Sequence, residues 1–218
     1  MKKEDLKSFF ESCPCPIIAV TGTRGKTITA RLIYEMLKLS GKDVYLDGIN
    51  GELYFEFLDK LKPRSVVVLE LSSSQLQDIS FSPHIAVMLG VAGGHLGDDV
   101  EMGEYVDAGR NILRFQREDD FAVLNRDYPA SNESDIYTAG KVFYVSRERD
   151  VDEGCFVSGK SVVMRGVGGV EEKLVIDVKK ISLRGKYNLE NVCAGVMASV
   201  LGGATMEAIR RALVSFKL

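Results

Sequence analysis

Read for apolar and polar positions, the chain alternates between two periods. PIIAVTG at 16–22, SVVVLEL at 65–71, HIAVMLG at 84–90 and DDFAVLN at 119–125 are short, mainly apolar runs. A strand covered on both faces reads this way, so each is predicted as a buried parallel strand. Between them the period lengthens. Over 27–39, Ile28, Leu32, Ile33, Met36 and Leu37 recur at helical spacing. The stretches 52–61, closed by Pro63, and 101–115 read as further helices, and 42–46 as a short strand. A helix over 3–11 is stopped by Pro14 and Pro16. Strand–helix alternation of this kind predicts a doubly wound α/β core with a mostly parallel sheet.

Past about residue 140 the pattern changes. Residues 141–145, 154–157, 161–165 and 173–178 are short β runs separated by glycines and charges, which predict a small antiparallel or mixed extension. GVGG at 166–169 reads as a hairpin turn. Helices are predicted over 188–201 and 206–216, with Gly202-Gly203 as the stop and turn between them.

Composition narrows the class without naming a chemistry. At 45% hydrophobic and 27% charged residues, the 218-residue chain can bury a core, and the length suits one large domain. A net charge of -3 supplies no basic field for nucleic acid. No apolar stretch approaches the roughly 20 residues of a membrane span, and MKKEDLKSFFESCPCP lacks the apolar run of a signal peptide. The four cysteines, Cys13, Cys15, Cys155 and Cys193, have no CxxC spacing, which argues against zinc and against a disulfide framework. A reducing, cytoplasmic setting is the expectation.

Chemistry enters at VTGTRGKT, residues 20–27. The usual phosphate-loop pattern puts a glycine where this chain has Val20. The setting nevertheless suits the role: an apolar strand precedes the turn and an amphipathic helix follows it. Backbone N–H groups and a helix N-terminus then converge on one point, which binds phosphate. Gly22 and Gly25 allow the close turn, Lys26 brings a charge for the β/γ-phosphates, and Thr27 a hydroxyl for Mg²⁺.

AVTGTRGKT resembles the G-T-x-G-K-[ST] loop of the Mur ligases, ATP-dependent amide-bond-forming enzymes of cell-wall synthesis. Further segments agree in order. DGINGEL at 47–53 resembles the family's G-G-N-I-G turn. VVVLELSSSQL at 66–76 resembles E-L-S-S-F-Q-L, found in the branch that adds D-glutamate to UDP-N-acetylmuramoyl-L-alanine. SPHIAVMLGVAGGHLGDD resembles P-x-I-A-V-x-x-N-x-x-x-D-H-L-D, and LRGKYNLENVCAG at 183–195 resembles L-x-G-x-H-N-x-x-N-x-x-A. The resemblance spans nearly the whole chain. It implies a lead-in at 1–15 and a single central ATP-binding domain at 16–218, with the family's flanking UDP-binding and C-terminal domains missing.

The resemblance also implies roles. Gly22, Thr23, Arg24, Gly25, Lys26 and Thr27 would cradle the phosphates of ATP. Thr27 and Glu70 would hold Mg²⁺, with Glu70 at the strand end where an α/β sheet places its site. Asn188 and Asn191 would lie near the adenine, on one helix face. Asn50 and Ser72 would face the substrate, and His95 would bind a second metal. In the family reaction a carboxylate attacks the γ-phosphate, and an amine then attacks the acyl phosphate to form the amide. The protein's part is positioning and charge neutralisation, and no serine or cysteine nucleophile is required.

The second metal is where the pattern breaks. Gly90 stands for the family's Asn, Gly94 for the Asp before the His, and Tyr187 for the His of the H-N pair. Gly109 stands for a lysine that is carbamylated in the family. Its neighbour Arg110 stays cationic and supplies neither a carbamate nor a metal ligand. Asp98 and Asp99 are the nearby acids able to compensate. Three readings stand: a D-glutamate-adding ligase, a poly-γ-glutamate or folylpolyglutamate type ligase, and a nucleotide-binding module that has lost catalysis. VLELSSSQL favours the first over the second, and the missing lysine favours the third.

Overall fold

A computed structural model describes residues 3–49, 56–77, 79–91 and 102–217. Within them the predicted alternation folds as one layered α/β unit. The elements in chain order begin with α1 (Lys3–Ser12), β1 (Ile17–Thr21), α2 (Lys26–Leu39), β2 (Val44–Asp47), β3 (Val66–Glu70), α3 (Ser73–Leu76), β4 (Ile85–Met88) and α4 (Met102–Arg114). They continue with β5 (Phe121–Asn125), α5 (Pro129–Asn132), β6 (Lys141–Ser146), β7 (Gly154–Ser158), β8 (Ser161–Val167), β9 (Val170–Asp177), α6 (Asn188–Leu201) and α7 (Met206–Ser215).

All nine described strands form one sheet, in the order β2-β3-β1-β4-β5-β6-β7-β8-β9. From β2 to β7 every pairing is parallel. The β7–β8 and β8–β9 pairings are antiparallel. The predicted β extension is therefore the continuation of the main sheet's edge. Gly168 and Gly169, with φ of 64° and 78°, make the tight turn between β8 and β9, as GVGG predicts.

The strands bury both faces, which explains their unbroken apolar runs. In β1, Ile18 and Val20 join the core beneath α2, α6 and α7, while Ile17 and Ala19 join the opposite core with Leu6 and Phe9 of α1. β3 divides the same way: Val66 and Val68 on one side, Val67 and Leu69 on the other. The period of two thus feeds two cores from one strand.

One element departs from expectation. The helix predicted over 52–61 is, in its described part, a turn followed by a single 3-10 turn at Leu58–Lys60. Its apolar positions are used differently: Phe57 stacks on Tyr45 at 5.1 Å and meets Phe9 edge-on at 6.2 Å. Two short helices, α3 and α5, are too brief for periodicity to reveal.

Candidate active site

The strand order reverses about β1. β3 lies on one side of it and β4 on the other, so the chain ends leaving β1, β3 and β4 open a crevice at one edge of the sheet. Such a switch point is where open α/β sheets place ligands. The 22–27 loop leaves β1 there, Glu70 ends β3, and Gly90 follows β4.

The loop geometry follows from its glycines. Gly22 has φ 139° and its α-carbon faces Leu89, so that a β-carbon would come within 2.8 Å of Leu89 Cβ. Gly25 has φ 86° in the left-handed region and caps the N-terminus of α2. The carbonyl of Gly90 receives both the Thr23 N–H at 3.2 Å and the Thr23 hydroxyl at 2.9 Å, which ties the loop to the end of β4. The Lys26 ammonium donates to the Gly22 carbonyl at 3.0 Å, folding back over the loop. The first-turn N–H groups of α2 precede any helical acceptor, so this end of the helix is an anion-attracting terminus.

Thr27 and Glu70, 43 residues apart, meet here. The Thr27 hydroxyl donates to Glu70 Oε2 at 2.7 Å, and the Glu70 side chain is buried. A hydroxyl and a carboxylate side by side form a hard-oxygen pair of the kind Mg²⁺ takes together with phosphate oxygens. Gly48, at φ 83°, packs on the Glu70 carbonyl, where a β-carbon would come to 2.2 Å. The glycine of DGI is thus required by the backbone of the acidic residue.

α6 closes the other side of the loop. The Asn191 amide sits where a Gly25 β-carbon would be, 2.1 Å from its Oδ1. Asn191 Nδ2 donates to Asn188 Oδ1 at 3.2 Å, and Asn188 Nδ2 to the Arg184 carbonyl at 2.6 Å. The two asparagines are linked to each other on one helix face, as their spacing predicts, and Asn191 is placed against the loop.

Sequence reasoning missed the buried polar cluster behind this face. Glu190, one residue before Asn191, is buried and ion-pairs with Arg147 at 2.5 Å. It accepts from Asn125 Nδ2 at 3.2 Å and from the Tyr128 hydroxyl at 3.3 Å. Burial pushes its carboxyl above the usual range, against the opposing pull of Arg147. The Tyr128 ring covers Gly90 so closely that a β-carbon there would come within 2.4 Å of it. Gly90 and Tyr128 are thus a matched pair, and an asparagine at 90 would require the Tyr128 ring to move. A charged residue inside the otherwise apolar LENVCAGVM of α6 was the available signal. Asn125-Arg126-Asp127 is a structural turn: Asn125 receives the Asp127 N–H at 2.9 Å, and Asp127 receives the Ser146 hydroxyl and the Arg147 N–H.

The structure also places Ser72, Gly109 and Arg110. Ser72 caps α3, accepting the Gln75 N–H at 3.3 Å while the Gln75 side chain takes the Ser72 N–H at 2.8 Å. Gly109 is buried on α4, where among the described residues a β-carbon would touch only Met88 Cε, at 3.7 Å. Arg110 turns aside: it donates to Ser134 Oγ at 3.2 Å and Tyr137 Oη at 3.3 Å, and stacks over the Tyr137 ring at 4.6 Å. Asn50, His95, Asp98 and Asp99 lie outside the described residues. Among the described residues no group of three or more His, Cys, Asp or Glu side chains could hold a metal, and no helix is long and apolar enough to cross a membrane.

Comparison with known proteins gives this geometry a context. The family model for the Mur ligase middle domain matches residues 20–199. The chain is similar to the UDP-N-acetylmuramoylalanine–D-glutamate ligase of Symbiobacterium thermophilum, 38% identical over 206 residues, covering 94% of this chain and 45% of that protein. It is similar to the ligase of the same name from Acetivibrio thermocellus, 36% identical over 212 residues, covering 97% and 45%. The chain thus spans about half the length of the curated relatives it matches. Among solved structures it resembles a UDP-N-acetylmuramoyl-L-alanyl-D-glutamate–2,6-diaminopimelate ligase, with a TM-score of 0.71 at 21% identity over 99% of this chain and 49% of that one. It also resembles the UDP-N-acetylmuramoylalanyl-D-glutamyl-2,6-diaminopimelate–D-alanyl-D-alanyl ligase of Acinetobacter baumannii, with a TM-score of 0.68 at 16% identity over 95% and 47%. At these identities the structures speak for the fold.

Proposed function

The chain belongs to the Mur ligase family, and on that footing we propose that it is the nucleotide-binding portion of an ATP-dependent ligase that joins D-glutamate to UDP-N-acetylmuramoyl-L-alanine. The observation that carries this reading is the meeting of Lys26, Thr27 and Glu70 at the sheet's switch point, with the Thr27–Glu70 contact at 2.7 Å. The first turn of α2 and the Lys26 ammonium, released from the Gly22 carbonyl, hold the β- and γ-phosphates. The Thr27 hydroxyl and the Glu70 carboxylate would hold Mg²⁺, which would neutralise the charge of the phosphates. Asn188 and Asn191 lie on the base side of the nucleotide. The chain's own contribution is to orient the triphosphate for attack and to keep its charge balanced. A cytoplasmic setting, where ATP is supplied, accords with this reading.

A second reading is a nucleotide-binding module without the ligase step. Gly109 and Arg110 favour it: the glycine brings no side chain to α4's inner face, and the arginine is occupied by Ser134 and Tyr137. Phosphate release separates the two. The ligase reading expects release from ATP–Mg²⁺ that is slow but requires both UDP-N-acetylmuramoyl-L-alanine and D-glutamate. Bound ATP with no release beyond that seen with ATP alone would favour the module. Absence of ATP binding would overturn both.

A further inference from the structure

We propose that Cys13 and Cys15 are a reversible oxidation site, closing to a Cys-Pro-Cys disulfide at the point where the chain enters the nucleotide sheet. The two sulfurs lie 3.6 Å apart, and Cys13 Sγ also approaches the Cys15 carbonyl at 3.4 Å. Both thiols are free. The segment is held from both ends: Cys13 N–H bonds to the Phe9 carbonyl at 2.8 Å as the last bond of α1, and the Pro16 carbonyl accepts the Val67 N–H at 3.0 Å at the start of β1. Pro14 between the cysteines has its φ locked near about -65°. Few backbone rotations therefore remain to carry the sulfurs apart. A disulfide needs about 2.05 Å between sulfurs, so the pair at 3.6 Å has only a short further approach to make.

The two thiols have unequal access, which orders the reaction. Cys13 is half-buried and meets solvent; Cys15 is buried at 5% exposure. Burial and the neighbouring Cys13 push the Cys15 thiol up to about 12, so Cys15 stays protonated until its partner is engaged. Cys13 as thiolate attacks a low-molecular-weight disulfide, glutathione disulfide being the chemical type. One glutathione thiolate leaves and a mixed disulfide forms on Cys13. Cys15 then loses its proton, its sulfur attacks the Cys13 sulfur, and the second glutathione leaves. Two protein thiols are oxidised and one small disulfide is reduced to two thiols. The product links the end of α1 to the residue just before β1, the strand that ends in the 22–27 loop.

The protein carries its own control. Cys155 in β7 and Cys193 in α6 also interact, and the Cys193 thiol is pushed well above its usual range by its hydrogen bond with Cys155 and by burial. Both are fully buried, at 0% exposure. Proximity alone would let this pair oxidise; the requirement for an accessible thiol keeps it reduced in the folded protein.

The test equilibrates the reduced full chain anaerobically in glutathione buffers with a rising oxidised share. Remaining thiols are then alkylated under denaturing conditions and the protein is digested with trypsin. Residues 8–24, SFFESCPCPIIAVTGTR, form one peptide bearing both cysteines. The expected result is that this peptide loses two hydrogens, escapes alkylation, and recovers both thiols with dithiothreitol, while Cys155 and Cys193 are alkylated throughout. Cys15→Ser is expected to stop at a glutathione adduct on Cys13, and Cys13→Ser to leave Cys15 a thiol. A stable glutathione adduct on the parent would overturn the proposal, as would two surviving thiols in fully oxidised buffer, or oxidation of Cys155–Cys193 at the same poise. The parent measurement decides even where a variant fails to fold.

Discussion

Replacing Lys26 with alanine is expected to weaken ATP binding on the order of a hundredfold while leaving the fold intact. The ammonium donates to the Gly22 carbonyl at 3.0 Å, and Lys26 is only partly buried. Losing one such partly exposed hydrogen bond costs about 1–2 kcal/mol of stability. Its proposed duty is different in scale. A cation facing the β- and γ-phosphates in a partly enclosed crevice makes a charge-assisted contact, and truncating one member of such a pair costs about 3 kcal/mol of binding, which is roughly a hundredfold in Kd. Isothermal titration of parent and variant measures the binding, and urea unfolding measures the fold. An unchanged Kd would remove Lys26 from the site. A collapse of stability would mean that its role is architectural.

Gly154→Ala is expected to be among the most damaging single substitutions in the chain. Gly154 pairs with Tyr144 in the parallel β6–β7 ladder, at φ 145°. A β-carbon there would come 1.7 Å from the Tyr144 carbonyl oxygen and 2.9 Å from its nitrogen. Both are backbone atoms, and Tyr144 N–H is itself committed to the Glu153 carbonyl at 2.9 Å, so nothing flexible can give way. Backbone strain of this kind costs about 1–3 kcal/mol, and breaking the ladder locally adds to it. A loss of at least about 3 kcal/mol is therefore expected from the urea midpoint. Gly41→Ala separates the two contributions. Gly41 also has a positive φ, 77°, but a β-carbon there meets nothing within 4 Å among the described residues. It should lose only about 1–2 kcal/mol, from strain alone. Equal losses at the two positions would mean that the clash at Gly154 is relieved by a backbone shift.

Much of the fold was legible because burial on two faces leaves an unmistakable mark. PIIAVTG, SVVVLEL, HIAVMLG and DDFAVLN all became parallel strands, and α6 runs over 188–201 as predicted. The stretch 52–61 misled because three aromatic or aliphatic residues at helical spacing can also pack individually, as Phe57 does against Tyr45 and Phe9. The β extension was legible as antiparallel or mixed but not in its detail: β6 and β7 continue the parallel sheet, and β8 and β9 add antiparallel strands. Strand direction depends on crossovers distant in sequence, which local pattern does not encode.

For the site, residues near in sequence were easier to read than pairs made by folding. Gly22, Gly25, Lys26 and Thr27 were visible in eight consecutive residues; Glu70 was named beside Thr27 only through the resemblance, and the fold sets the two 2.7 Å apart. The Gly90–Tyr128 fit and the Glu190–Arg147 pair were not visible, because each joins segments more than 35 residues apart. Gly90 looked like a loss of chemistry. In the fold it is the opening that a tyrosine ring fills.

The central claim is that the 22–27 loop, with Glu70, forms one site for ATP and Mg²⁺. Titrating the parent chain with ATP in the presence and absence of Mg²⁺ tests it most directly. Saturable binding of one ATP per chain is expected, tightened by Mg²⁺ by at least about tenfold, or roughly 1.4 kcal/mol, with that gain lost in Glu70→Ala. No saturable binding, or binding indifferent to Mg²⁺ and to Glu70, would contradict it.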